Sequence, residues 1–276
     1  MLTPANAPAA PVETVPGDPA RGVLVICDHA SNAMPPEYGA LGLPASELAR
    51  HIAYDIGAAA AARALARRLG APAVLSTFSR LLIDPNRGED DPTLVMKLSD
   101  GAVVPGNARV DAAEVERRLA RFYRPYDRAV GEAVERALAA GAPPAIVSVH
   151  SFTPVWKGTA RPWHVTVLWD SDPRLPLPLI AALSADPALT VGDNEPYDGA
   201  LAGDTLNRHA TRRGLSNALI EIRQDLVSTS EDAAAWGERL ADALAPLVED
   251  PALRRVEPHP TRTATRHRAA WSPKSS

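Results

Sequence analysis

Three short apolar runs constrain this chain more than anything else in it: residues 23–27 (VLVIC), 145–149 (AIVSV) and 218–222 (ALIEI). A strand with one wet face alternates apolar and polar residues, so runs this continuous require cover on both faces. Helical patterns fall between them. Residues 46–69 read as one helix, with Ser46 available as N-cap and Gly70 just past its end. A longer stretch carries an inner stripe of Val115, Leu119, Phe122, Val130, Val134 and Leu138, and Pro125 within it should break or kink the helix. Further strands are expected at 73–77, 81–83 and 164–169, with helices near 204–213 and after Ser230. Strands alternating with helices predict an α/β fold of a single domain. Its central sheet should be mostly parallel or mixed, with helices on both faces.

Composition narrows the class. Hydrophobic residues at 46% allow a large core, while aromatic residues at 5% argue against an aromatic-rich β sandwich. A net charge of −4 gives no reason to expect nucleic acid as a partner. The single cysteine, Cys27, excludes an internal disulfide and a Cys-rich zinc module. The first twenty residues lack the basic and apolar regions of a secretory signal, and no stretch approaches the ~20 apolar residues that cross a bilayer. A cytoplasmic protein without membrane contact is expected. Residues 1–20 are Pro/Ala-rich and read as a disordered N-terminal tail, 21–250 as the domain, and 251–276 as a basic disordered C-terminal tail.

In open α/β sheets ligands collect beyond the carboxyl ends of the strands. The first run is followed by Asp28-His29-Ala30-Ser31-Asn32 and the second by His150-Ser151-Phe152. Glu221 lies within the third, on the side of Leu219 and Arg223 and away from Ile220 and Ile222. Two strand-end histidines with a carboxylate nearby suit a zinc site with one position open for water. Spacing alone leaves open that they are merely hydrogen-bonded. Asp55 shares the inward stripe of the 46–69 helix with Leu48, Ile52, Ile56 and Ala59, so it needs a metal, donors or a cation such as Arg80. In 79–87, Arg80 and Arg87 offer planar forks for a carboxylate and Asn86 a further donor. Asp84 could orient an arginine or a metal-bound histidine, although Asp-Pro-Asn also reads as a plain turn.

Five segments in order resemble the N-formylglutamate amidohydrolase family: CDHASN (27–32), SRLLIDPNR (79–87), VHSFTP (149–154), DNEPYDG (193–199) and GLSNALIEIRQDL (214–226). The likeness covers roughly residues 20–245. That family is related to zinc carboxypeptidases and aspartoacylases, which share a phosphorylase/hydrolase-like α/β fold. The resemblance implies one zinc ion on His29 and His150, with Glu221 at the position of the carboxypeptidase-type general base. Arg80, Asn86 and Arg87 match positions that grip a substrate carboxylate, and Arg80 is grouped with Glu221 as catalytic. Segment 193–199 becomes a lid or pocket wall with Asn194 and Tyr197 facing substrate. His209 is either a further substrate contact or ordinary helix surface.

The related enzymes carry His-x-x-Glu where this chain has Asn32 as the fourth residue. Asp55 is therefore the first candidate for third ligand and Asn32 the second. The implied activity is zinc-dependent hydrolysis of N-formyl- or N-acyl-amino acids such as N-formylglutamate, on a small acylated amino acid or related carboxylate. Two alternatives stand beside it. One is a non-catalytic metal- or carboxylate-binding member of the same fold. The other is a cysteine hydrolase built on Cys27 and His29, which is disfavoured because Cys27 ends an apolar run. No G-x-S-x-G elbow, Walker A loop or G-x-G-x-x-G fingerprint is present.

Overall fold

Alternation along the apolar runs divides the core into two layers. In the computed structural model, which describes residues 10–263, the chain begins with β1 (Val12–Val15), β2 (Val23–Cys27), α1 (Ala45–Leu48), α2 (Ala58–Leu69) and β3 (Ala73–Ser76). A small hairpin, β4 (Leu98–Ser99) and β5 (Ala102–Val103), precedes α3 (Ala112–Arg118), α4 (Arg124–Ala139) and β6 (Ala145–Phe152). A second hairpin, β7 (Val155–Trp156) and β8 (Thr159–Ala160), leads to β9 (Val165–Leu168), α5 (Pro176–Ser184) and β10 (Val191–Asp193). The rest is α6 (Thr205–His209), β11 (Asn217–Arg223) and α7 (Ser230–Leu244).

One seven-stranded sheet has the order β1-β3-β2-β6-β11-β9-β10. Its centre, β3-β2-β6-β11, is parallel, while β1 lies antiparallel on β3 and β9 antiparallel on β11. Val23, Val25 and Cys27 of β2, with Val147 and Val149 of β6, pack under α2, α5 and α7. Leu24, Ile26, Ile146 and Leu219 face α4 through Tyr126, Val130 and Val134. A mixed sheet with helices on both faces is thus the fold, as its sequence pattern requires. Among the described residues no helix is long and apolar enough to cross a membrane.

Several local expectations are corrected. The 46–69 helix is two pieces, α1 and α2, separated by turns, and Ser46 caps neither. Gly57 starts α2 with φ 79°, where a Cβ would sit 2.3 Å from the Val227 carbonyl oxygen. Residues 81–83 form no strand. Their neighbours bond to loops instead: Ser79 N–H to Ala33 O, Arg80 N–H to Ala53 O and Asp84 N–H to Leu94 O. Pro125 does not break its helix, but it stands just after a π-helical turn, so the expected disturbance is a local distortion and not a stop. A π-helical turn over Leu119–Tyr123 joins α3 to α4, closed by Arg124 N–H to Leu119 O. The 204–213 helix stops at His209, and α5 and β10 lie in a passage that carries no clear sequence signal.

Both supposed tails are partly built into the fold. Val12–Val15 adds an edge strand, pairing Val12 with Ser76 through to Val15 with Ala73. At the other end Leu253 is buried. The remainder of the two tail assignments, residues 1–9 and 264–276, lies outside the described residues.

Candidate active site

Three adjacent parallel strands deliver the site. His29 stands two residues past the end of β2, His150 stands inside β6, which runs past its expected end to Phe152, and Glu221 sits beside His150 in the β11–β6 register. Asp55 arrives from the turn ahead of α2, held by its own N–H on His29 O at 2.9 Å. Its Oδ2 lies 3.2 Å from His29 Nδ1 and 2.7 Å from His150 Nδ1, and all three residues are buried. Asp55 therefore stands against both histidines, and it does so from a turn rather than mid-helix.

The far nitrogen of each ring is also engaged. His29 Nε2 donates to Asp84 Oδ1 at 2.8 Å. His150 Nε2 lies 3.1 Å from Asp28 Oδ2 and 3.0 Å from Ser148 Oγ. A neutral imidazole that donates from Nε2 turns a lone pair outward at Nδ1. Both Nδ1 lone pairs then face the same carboxylate oxygen, which is repulsive unless a proton or a metal cation lies among them.

The acid–base balance says the same. Burial opposes ionisation of Asp55, yet the His29 and His150 rings hold its carboxyl below the usual range. Asp84 is held well below that range, against burial, by Arg80 and His29. Asp28 is held at about 2 against the same penalty, chiefly by His150. Burial alone would lower His150, but hydrogen bonds to Asp28 and Asp55 keep it well above the ordinary imidazole value. Three carboxylates around two imidazoles make a nest for positive charge. The donor atoms of His29, Asp55 and His150 lie within 4.8 Å of one another, and this nitrogen–oxygen set could hold a metal ion.

Glu221 has the opposite character. It is buried, its Oε2 has no hydrogen-bond partner among the described residues, and burial pushes its pKa up to about 7. Arg80 donates from Nε and Nη2 to Asp84 Oδ2, and its Nη1 lies 3.6 Å from Asp55 Oδ1. Asp84 thus orients a histidine and an arginine at once, one through each oxygen.

These groups open on a cavity of about 380 Å³ that is also lined by Asn86, Arg87 and Tyr197. Asn86 Oδ1 accepts from Thr205 N–H, and among the described residues the Arg87 guanidinium donates to Thr93 Oγ1 and Asn86 O. Two expected contacts lie elsewhere. Asn194 (φ 53°) uses its Oδ1 to accept from Trp169 and Gly199 N–H, which clamps a turn. His209 packs against Gly131 and bonds Asp127 through Nε2 at 2.6 Å. Asn32 is spent on structure as well, since its amide donates to Leu48 O. Cys27 points to the opposite face of the sheet, and burial pushes its thiol well above its ordinary value, so a thiolate mechanism has no support.

The sequence reading misses Asp28 as a supporting acid. Its place directly after the first apolar run is the available signal, but its partners Tyr126, Ser148 and Thr205 come from distant segments. His51 and Asp204 also line the cavity and carry no sequence signature.

Fold and site together define an α/β protein with a buried polar cluster gathered at the carboxyl ends of the parallel strands. The family model for N-formylglutamate amidohydrolase matches residues 21–228. The chain belongs to that family and is a hydrolase acting on an amide. A crystal structure of a gene product from Agrobacterium tumefaciens, Atu2144, is 36% identical with a TM-score of 0.81, covering 87% of this chain and 96% of its own. The N-formylglutamate amidohydrolase of Ralstonia eutropha JMP134 is 24% identical with a TM-score of 0.68, covering 87% and 97%, and shows the same fold. No curated protein matches the chain significantly.

Proposed function

We propose that the protein hydrolyses the amide bond of N-formyl- or N-acyl-amino acids such as N-formylglutamate, with one zinc ion held by His29, Asp55 and His150. The observation that carries this reading is the convergence of two imidazole Nδ1 atoms and one carboxylate oxygen beside the unpartnered, buried carboxyl of Glu221. A zinc ion in such a set supplies Lewis acidity toward the acyl oxygen and acidifies a water.

The chain's own groups do the rest. Asp84 and Asp28 fix the ring orientations of His29 and His150, so the donor atoms need no rearrangement. Glu221 takes the proton of the attacking water and returns it to the leaving nitrogen. A carboxyl poised at about 7 can do both near neutral pH. Arg80, held by Asp84, presents fixed positive charge to the oxygen that becomes anionic as the carbonyl is attacked. Arg87, whose hydrogen bonds among the described residues go to Thr93 Oγ1 and Asn86 O, grips the carboxylate on the amino-acid side, and Asn86 and Tyr197 complete that wall.

A panel of N-acyl amino acids, run with native and chelator-treated protein, tests the reading. Hydrolysis that disappears with chelation and returns with zinc is the expected result. Zinc-loaded protein that cleaves none of the panel sinks it.

A further inference from the structure

The family match ends at residue 228, yet the chain beyond α7 comes back to the rim of the cavity. Arg174 holds the carbonyls of Ala252 and Arg255 at 3.0 and 2.8 Å, and Glu257 N–H donates to Gly214 O at 2.8 Å. The segment then reaches Asp170, a buried carboxylate just past β9. The Thr261 hydroxyl and the Arg262 N–H, the latter at 2.7 Å, both donate to it. The Arg262 guanidinium lies 5.9 Å from the Trp169 ring centroid, donates to Trp169 O, and reaches the two oxygens of Asp198 at 3.0 and 3.2 Å.

Asp198 lines the cavity together with Tyr197 and Gly199. From within the fold this wall is fixed by Asn194, whose Oδ1 joins Trp169 to Gly199, and Tyr197 carries the Arg161 guanidinium 5.1 Å from its ring centroid. From outside it is held by Arg262. We infer that residues 257–263 form a strap that sets the position of the wall at 197–199, which makes Arg262 a positioning residue for substrate binding. The inference rests on the amide-hydrolase reading above. The guanidinium fork joins acceptors on two separate segments at once, which the single ammonium of a lysine cannot reproduce. With its side chain 40% exposed, Arg262 adds little to global stability, so its effect falls on the wall itself.

The test uses the full chain, zinc-loaded, with the best substrate of the panel. Arg262→Ala should raise KM about tenfold while leaving kcat within about twofold, the signature of lost ground-state binding. The melting temperature should hold, amide exchange over 193–199 should quicken, and Arg262→Lys should recover only part of KM. In a cycle with Asp198→Asn, the double variant should be no worse in KM than Asp198→Asn alone, because each change breaks the same link. An unchanged KM in Arg262→Ala, additive effects in the cycle, or a parallel fall of kcat and melting temperature overturns the strap. If wild-type protein cleaves no amide, the function reading fails by itself. Exchange at 193–199 then decides the strap, and unchanged exchange in Arg262→Ala overturns it.

Discussion

Glu221 and His150 are register partners on adjacent parallel strands, so their side chains leave the sheet on the same face, side by side. One belongs to a cluster that holds positive charge and the other is a carboxyl made reluctant to ionise by burial. The strand ladder sets their separation, so no loop has to move for Glu221 to stand beside the cluster of His29, Asp55 and His150.

Glu221→Gln keeps the shape of that side chain and removes its basicity. Bound zinc should stay near the wild-type level, while kcat drops by about 10²–10⁴-fold, the usual worth of a positioned general base. Metal analysis and steady-state kinetics on one preparation check both halves. Normal turnover removes Glu221 from the mechanism.

Asp84→Asn leaves one acceptor oxygen for the three donors that Asp84 satisfies, His29 Nε2, the Arg80 fork and Asn86 N–H, and removes the negative charge. Loss of such an orienting carboxylate lowers metal affinity by about 10–100-fold. Competition with a chromophoric chelator should show that loss, and activity should recover in part as zinc is raised. Unaltered affinity means that His29 keeps its orientation without Asp84.

How much of this was legible in sequence follows from what each residue depends on. His29, His150 and Glu221 sit on or within two residues of apolar runs, so periodicity and strand-end position place them. Asp55 was singled out for a reason that the fold changes. The chain around it is not helical: turns separate α1 from α2, Gly57 opens α2 in a left-handed conformation, and the Asp55 N–H bond to His29 O sets the carboxylate beside the histidines. Asn194 and His209 bond to Trp169 and Asp127, tertiary neighbours that no local pattern shows. The strap was hidden by composition, since a Pro/Arg-rich segment reads as tail unless its acceptors, here Asp170 and Asp198, are known.

Gly57→Ala tests the turn that delivers Asp55. A Cβ there would sit 2.3 Å from Val227 O, and φ 79° is itself unfavourable for alanine. Strain of this kind costs about 1–3 kcal/mol. The denaturation midpoint should fall, and zinc affinity should fall with it as Asp55 is displaced. A variant with wild-type stability and zinc binding shows that the turn relaxes without moving the carboxylate.

Asp204 makes the clearest prediction for pH. It lines the cavity and caps α6 by accepting Asn207 N–H at 2.6 Å, and burial pushes its pKa up to about 7. An unfolded aspartate titrates near 3.9. Between those values the folded protein keeps a proton that the unfolded chain has released. The stability this contributes is complete below about pH 4 and is lost as pH rises through 7. Asp204→Asn retains the cap, since asparagine is an equally good N-cap, and removes the titration. Denaturant unfolding of the metal-free protein should show the variant gaining on the wild type by roughly 3 kcal/mol between pH 5 and 8, at 1.36 kcal/mol per unit of pKa shift. Asp28, Asp55 and Asp84 do not confuse the comparison, because their depressed values confine their losses to acid pH and they are common to both proteins. A stability difference that stays constant across that range would mean that Asp204 is ionised in the folded protein, with a cavity cation or water compensating its charge.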